Sequence, residues 1–467
     1  MPIAVVTVLL LVSAALVAIS SDAGLAPPGL AGLDVQWLVL LAWLTAGSAS
    51  AVLLCCRRRR ATTGLVVAGA LLIGSAALVG PPRFSDDSAR YAWDGIVSGA
   101  GISPYAHPPV AAELSALRPL WLFPPAALGS DGQPACSTAG SRLTRQTPDA
   151  APLCTMINRP EVPTIYPPVA QGWFAAVRAV VPREARWWPM QVAGLFASLG
   201  VTAALIAGLR RRGMDDRWAA IWAWSPFVAI EAVGNAHVDS VGVLFALAAT
   251  LVVAAGGKPA SRSGGRLRPW VGGVLLGLAA ATKLVPLMAA PPLLRRSPAR
   301  VLLAAAATVA AVYLPFVVVG GSEVLGYLPT YLVEERYTDG SRFALVTTLV
   351  PRAAAGWVAV ALLAVATGFA WWRADPERPW HAQTVLVGTV LLVVNPLYAW
   401  YALTLVPFVA LSRRWEWLVV PLALSVNAGI APRPLVLGGA ALVVAAASLV
   451  RVIRARNSRP AQQEVRA

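Results

Sequence analysis

The feature that most limits what this chain can fold into is the recurrence of long apolar runs. Residues 2–20, 35–56, 61–80, 187–209 and 299–319 are each apolar throughout or nearly so. As helices rising about 1.5 Å per residue, runs of about 19 residues or more reach across a hydrocarbon layer of roughly 30 Å. Composition points the same way. The residues AVILMFWYC make up 57% of the chain and charged residues 13%, against roughly 25% charged residues in an ordinary soluble domain. That is too little charge to coat a water-soluble particle of 467 residues, so a soluble multidomain reading is excluded and the fold class is an all-α polytopic membrane protein. The first run has no Lys or Arg before it and no convincing small-residue cleavage site after it, so it reads as a retained span rather than a signal peptide.

The net charge of +16 would suggest nucleic-acid binding in a soluble chain. Here the basic residues stand in tight groups beside apolar runs: Arg57–Arg60, Arg210–Arg212, Lys258 with Arg262, Arg266 and Arg268, Arg295–Arg296, Arg413–Arg414, and Arg451 with Arg454 and Arg456. This is the pattern of cytoplasmic loops, and it argues for a plasma-membrane protein with both termini inside and no nucleic-acid partner. Spans are expected at 2–20, 35–56, 61–80, 187–209, 217–233, 239–256, 270–282, 284–294, 299–319, 353–372, 382–394, 401–411, 415–430 and 434–450. Several are too short to cross alone. Those around Lys283, Pro286, Asn395 and Pro396 read as re-entrant or broken helices, which survive in a bilayer only where protein or water satisfies the freed backbone. The expected count is therefore ten to fourteen transmembrane or re-entrant helices.

The organisation that follows is an N-terminal helical pair (1–60), a first core span (61–80), a long extracytoplasmic loop carrying the chemistry and an interfacial helix (81–186), further spans (187–319), a second outer loop (320–352), C-terminal spans (353–450) and a basic cytoplasmic tail (451–467). Cys136 and Cys154 share the long loop, where export favours their oxidation to a disulfide. Closing a loop of that size stabilises by roughly 3 kcal/mol in the chain-entropy view.

The polar exceptions gather toward the outer face. The stretch PPRFSDDSARYAWDGIVSGAGISPY brings Asp86 and Asp87, then Arg90, Tyr91, Trp93 and Asp94, then Tyr105. Carboxylates, a cation and aromatic rings at helical spacing are the equipment for holding a sugar at a membrane surface, although an Asp pair at a helix start also serves as an ordinary cap. Farther along, INRPEVPTIYPPVAQ supplies Asn158, Tyr166 and Gln171, and the segment 169–181, apolar but interrupted by Gln171 and Arg178, reads as an amphipathic interfacial helix. EAVGNAHVD contributes Asn235, His237 and Asp239, and NPLYAWY contributes Asn395 and Tyr398. Glu231, His237 and Asp239 match no familiar metal-ligand spacing, and no metal is expected. Lys283 stands ready either to hold a lipid phosphate or to pair with Glu231 or Asp239. Arg336 and Arg342 suit a phosphate as well, unless Glu334, Glu335 and Asp339 neutralise them.

Taken in order, SDDSARYAWDG, GISPY, INRPEVPTIYPPVAQ, GNAHVDS, GLAAATKLVP and NPLYAWY resemble the bacterial polytopic glycosyltransferases of family 87 over about residues 80 to 405. The resemblance implies the GT-C fold, a polyprenyl-phosphate sugar donor, and mannose transfer in lipoglycan and phosphatidylinositol-mannoside assembly in the cell envelope. It also implies an inverting displacement with an Asp base at the start of the first large outer loop. DSARY is similar to the DEARY-like segment of lipid A aminoarabinose transferases, which puts Asp87 at the base position with Asp86 beside it. Helical spacing agrees, because Asp87, Arg90 and Tyr91 share a face that Asp86 does not. Lys283, Arg342, Arg336 and Arg90 are then candidates for the donor phosphate. Tyr91, Trp93, Asp94, Tyr105, Asn158, Tyr166, Gln171, Asn235, His237, Asp239, Asn395 and Tyr398 are candidates for sugar or acceptor. The expected partners are the donor, a lipid or glycan acceptor and membrane lipids. No P-loop or dinucleotide fingerprint is present, and no cofactor is expected. The departures from the family are the extra N-terminal pair and the cysteine-bearing insert. Two other readings share the architecture: a GT-C enzyme for another lipid-linked sugar such as arabinofuranose or glucose, and a lipid-linked sugar transporter or flippase, which is expected to carry its ionisable residues at mid-membrane and to show repeat symmetry.

Overall fold

In the computed structural model, residues 2–27, 33–57, 60–145, 152–254, 262–321, 324, 328–337, 339–426 and 431–457 are described. Lys258, Arg58 and Arg59 and the end of the basic tail lie outside them. Helices dominate, and the only paired strands among the described residues are two short antiparallel hairpins in the long outer loop, Ala127–Leu128 with Pro134–Ala135 and Arg142–Arg145 with Pro152–Thr155. The first six helices of use here are α1 (Pro2–Ser21), α2 (Val35–Cys55), α3 (Arg60–Ala76), α4 (Asp87–Gly99), α5 (Pro168–Ala179) and α6 (Trp188–Arg211).

Six helices among the described residues are long and apolar enough to cross a membrane: α1, α2, α6, Pro298–Gly320, Arg352–Arg373 and Arg433–Arg454. Shorter apolar helices at Thr62–Ala76, Trp380–Val394, Ala399–Ser412 and Trp415–Ser425 join them. The expected spans 217–233 and 239–256 form one bent pair: Pro226–Gly234 meets Asp239–Val253 at 117°. The wide-turned π geometry of Ala229–Gly234 precedes the break, and Ala236 within it has φ +58°. The expected span 284–294 is two short 3-10 turns, Val285–Ala289 and Pro291–Arg295, as its three prolines require.

The N-terminal pair is part of the main core. Val6, Leu10 and Val17 of α1 and Leu38, Ala42 and Leu53 of α2 are buried in the same apolar cluster as Ile73 of α3 and Leu205 of α6. Close approach matters most at Gly194 of α6, where an added Cβ would lie 2.1 Å from the carbonyl oxygen of Ala232, so only glycine lets α6 press against the π turn.

The long outer loop has its own cores. Trp93, Val97, Leu114, Leu122, Phe123 and Ile157 form one, and Tyr91, Tyr166, Phe174 and Met190 join Val238 and Val241 in another that ties the loop to the bundle. Helix α4 is buried from Ser88 to Val97. Gly95 lets α5 lie against it, since a Cβ there would meet the Phe174 carbonyl oxygen at 2.5 Å. The polar interruptions of α5 face protein rather than water. Gln171 is buried against Asp94 and Thr164, and Arg178 donates to the carbonyls of Pro182, Arg183 and Ala185.

The bundle has a basic end. Arg217 donates to the Leu53 and Cys56 carbonyls, Arg210 pairs with Asp216, Arg212 reaches Leu251 and Ala254, and Arg451 pairs with Glu416. Gln191 and Arg210 sit near opposite ends of the 24-residue α6, a helix about 36 Å long. The arginine groups and the outer loop therefore occupy opposite ends of the bundle.

Candidate functional site

At the loop end, a cavity of about 390 Å³ is lined by Asp86, Asp87, Arg90, Asn158, Arg159, Tyr166, Lys283, Tyr331, Tyr398, Trp400 and Tyr401 together with smaller neighbours. Residues more than 300 positions apart in sequence meet there. Asp86 is the cap of α4 and Asp87 its first residue, where carboxylates are favoured by the helix dipole. The side-chain nitrogen of Asn158 donates to both, at 2.8 Å to Asp86 Oδ1 and 2.8 Å to Asp87 Oδ1.

Beyond that shared clasp the carboxylates differ. Asp86, with 41% of its side chain exposed, pairs with Arg142 of the second hairpin. Asp87, 13% exposed, accepts from the Tyr91 hydroxyl at 3.3 Å and lies 4.0 Å from His237 Nε2. Burial, then the Asp87 charge, pushes the Tyr91 phenol well up, so it remains a donor. A disulfide between Cys136 and Cys154, with Cα atoms 5.7 Å apart, fastens the hairpin that carries Arg142 and leads into Asn158.

Lys283, whose role the sequence leaves open between phosphate and counter-ion, does pair with Asp239, at 2.6 Å. It also lines the cavity, with its ammonium 5.1 Å from the centre of the Tyr401 ring. Two of its three N–H donors are not required by that carboxylate. Tyr401 meets the Tyr331 hydroxyl at 3.0 Å, and Tyr398 stacks on Trp400.

Other expected residues are engaged with the protein itself. The Arg90 guanidinium lines the cavity, but it pairs with Asp94 at 3.0 Å and donates to the carbonyls of Arg159 and Val162. Asp94 is buried and also accepts from Thr164 at 2.5 Å and Gln171 at 3.0 Å. Burial lifts its carboxyl above the ordinary range while Arg90, Thr164 and Gln171 pull it back. Trp93 packs on Phe123, away from the cavity, and the Tyr105 hydroxyl donates to the Tyr166 carbonyl at 2.6 Å.

Asn235 accepts from the Phe84 amide and donates to Glu231. Asn395, left-handed at φ +46°, caps the helix Trp380–Val394. Arg342 is buried against Glu335 and Tyr337, and neither it nor Arg336 lines the cavity. Arg159 does line it, a cation that the reading of INRPEVP passes over. It joins Glu334 at 2.9 Å and Glu335 at 3.2 Å, linking the two outer loops. Its φ of +46° directly before Pro160 is the local irregularity behind that placement, and no sequence pattern announces it.

A second, wider groove of about 1,270 Å³ shares Phe84, Ser85 and Asp86 with the cavity. Its far wall holds Asp22 from the end of α1, with Arg83, Trp121, Glu184, Arg186 and Trp187. The carboxylate pair thus stands at the junction of two spaces. Chemically, the arrangement offers a carboxylate base, an ammonium for an anion, and aromatic faces for a ring-shaped substrate.

The model of glycosyltransferase family 87 matches residues 164–396. The matched stretch includes Tyr166, Gln171, the bent pair with Asn235, His237 and Asp239, Lys283, the second outer loop and Asn395, and it begins after Asp86, Asp87 and Asn158. No curated protein and no solved structure matches the chain.

Proposed function

We propose that this chain, a multi-pass membrane glycosyltransferase by its likeness to family 87, transfers mannose from a polyprenyl-phosphate donor to a hydroxyl of a lipid or glycan acceptor at the outer face of the plasma membrane. The observation that carries the proposal is the carboxylate pair clasped by Asn158 in one cavity with Lys283 and the Tyr398–Trp400–Tyr401 wall. The basic residues at the opposite end of the bundle support an outward-facing site, since cytoplasmic ends collect Arg.

In this reading the donor occupies the 390 Å³ cavity and the acceptor enters along the 1,270 Å³ groove. Asp87 takes the proton from the acceptor hydroxyl as its oxygen attacks the anomeric carbon, and the lipid phosphate departs from the opposite side, which inverts the configuration. Negative charge grows on the leaving phosphate, where Lys283 stabilises the transition state more than the ground state. Asp86, tied to Arg142, holds the Asn158 clasp and the acceptor edge of the site. Asp86, Asp87, Arg90, Arg159 and Lys283 converge on the loop-end cavity, as suits bond-making at a surface rather than passage through the membrane.

The test is reconstitution of the purified protein with polyprenyl-phosphate mannose, glucose or arabinofuranose and a panel of lipid acceptors, with products weighed by mass spectrometry. The expected result is an acceptor one hexose heavier from the mannose donor. Transfer from a different donor alone would replace the sugar assignment, and absence of transfer from all three would overturn the reading.

A further inference from the structure

The basic end of the bundle holds a cavity of about 830 Å³ that the transfer reaction leaves unused, and Arg212, Arg378 and Arg413 line it. Elsewhere at this end the arginines are matched by carboxylates: Arg210 with Asp216, Arg217 with Asp215, and both Arg414 and Arg451 with Glu416. The three in the cavity are not. Arg212 donates to the carbonyls of Gly208, Leu251 and Ala254, which take up its hydrogens and leave its charge. Arg378 is exposed and Arg413 half-buried, and neither side chain forms a hydrogen bond or ion pair among the described residues. The Nε of Arg413 is sealed from solvent, which leaves its two terminal nitrogens as the accessible donors. Trp218 covers the guanidinium, 6.0 Å from its carbon to the ring centre. The backbone of Arg413 is left-handed at φ +58°, closing the helix Val406–Ser412 in a conformation that favours glycine. An arginine here takes on backbone strain and places a guanidinium at the cavity.

Two carboxylates complete the charged lining, and only one of them is open to offset the arginines. Glu377 pairs with Arg296 at 2.9 Å, while Asp375 accepts from the Glu377 amide at 2.9 Å and keeps its charge. His381, also in the lining, can only add positive charge. Two guanidinium charges therefore stand uncompensated. We infer that this cavity binds a phosphate monoester. Such a group carries a charge of about −1.5 to −2 at neutral pH and three acceptor oxygens, whereas a carboxylate would balance one guanidinium and leave the other. Guanidinium groups meet phosphate oxygens in pairs of parallel hydrogen bonds. The volume falls within the range of about 300–1,000 Å³ usual for sites of organic ligands, so the phosphate carries an organic group. Its source is a soluble sugar phosphate or a lipid of the adjoining leaflet, since basic pockets between membrane helices also take anionic headgroups. The site lies at the far end of the bundle from Asp87, and the inference does not depend on the reading of that residue as the base.

The experiment measures binding to the purified full-length protein in detergent. In the soluble arm, inorganic phosphate and glucose 6-phosphate are titrated by calorimetry, with glucose as the uncharged control. In the lipid arm, retained phosphatidic acid is counted by native mass spectrometry against phosphatidylcholine. The expected result is phosphate-dependent binding in one arm, and the arm that responds names the source. Arg413→Gly removes the guanidinium and suits the left-handed backbone, and it is expected to weaken that binding by about 10- to 100-fold with little change in thermal unfolding. Arg378→Gln, at an exposed position, is expected to weaken it in the same sense and carries the test if Arg413→Gly fails to fold. Binding in neither arm, or binding that the folded variants keep at wild-type strength, would overturn the inference.

Discussion

Asp94→Ala tests whether the loop's buried polar network is what holds the site together. The carboxylate is 2% exposed and receives three hydrogen bonds, from Arg90, Thr164 and Gln171. Removing it leaves a guanidinium that is itself 5% exposed without its carboxylate partner. Breaking a buried pair on one side costs about 3–5 kcal/mol. Asp94→Asn keeps the shape and one acceptor oxygen, and costs about 1–3 kcal/mol. At about 1.4 kcal/mol per factor of ten, the alanine change raises the local opening equilibrium of α4 by roughly two to three and a half orders of magnitude. Hydrogen exchange in detergent, followed by mass spectrometry on peptides from Ser88–Val97, reads that opening directly. Turnover should fall as well, because Arg90 holds the carbonyls of Arg159 and Val162 beside the cavity. Exchange within tenfold of wild type in Asp94→Ala would show that the network contributes little and that apolar packing alone fixes the loop.

Asp87→Asn should lower transfer by on the order of 10² to 10⁴ with donor binding intact, whereas Asp86→Asn, which keeps the Asn158 clasp but loses the Arg142 charge pair, should do less; the reverse order in a product assay would exchange their roles. Lys283→Ala should reduce turnover more than donor affinity, while Arg342→Ala, which leaves Glu335 with Arg159 and Tyr398 but removes its buried guanidinium partner, should show its main effect as lost thermal stability, and an equal kinetic loss in both would bring Arg342 back to the phosphate. Joint Cys136→Ser and Cys154→Ser replacement removes about 3 kcal/mol of loop closure; proteolytic cutting of residues 100–160 should speed up while the bundle stays folded, and unchanged cutting would mean that the hairpins hold without the bond. A cysteine placed near Arg145 should react with a membrane-impermeant thiol reagent on intact cells and one near Arg262 should not, and the opposite labelling would invert the orientation.

The sequence makes the bundle legible because the apolar runs are long and the arginines lie beside them, so lengths and ends follow with little tertiary information. It also makes the cavity partly legible, because a carboxylate, an ammonium or an amide near a membrane is costly unless used. Asp86, Asp87, Asn158, Tyr166, Lys283 and Tyr398 meet in one cavity for that reason. Pairing was harder to read. One-dimensional spacing offers Lys283 both Glu231 and Asp239, and only the 117° bend selects Asp239. Gln171 and Arg178 look like the wet side of an interfacial helix, yet both face inward: Gln171 meets Asp94 from a distant part of the loop, and Arg178 meets the carbonyls of the turn that follows its own helix. Arg159 was invisible because its direction depends on a left-handed backbone at a non-glycine residue.

The broken helices explain why so many polar residues collect at this end. Three interruptions, at residues 235–238, 281–284 and 395–398, end there instead of running on through the bundle. Each leaves backbone groups without intrahelical partners, a state tolerated at membrane depth only where protein or water answers them. Gln191 answers the first, donating to the Gly234 carbonyl at 2.8 Å, and the same amide also holds the Gly80 carbonyl at 2.9 Å. The Ala281 carbonyl accepts from the Val169 amide at 2.9 Å, which joins the outer loop to the second interruption. Arg433 donates to the Pro396 carbonyl at the third. Interrupting the helices lets Lys283, Tyr398 and Trp400 line a shared space, with Asp239 buried behind it against Lys283. The same breaks oblige the chain to place polar side chains around that space, so the groups that satisfy the backbone and those that face a substrate belong to one network. A substitution such as Gln191→Leu, remote from the carboxylates, is therefore expected to distort the bend at Gly234 and displace His237 and Asp239 together.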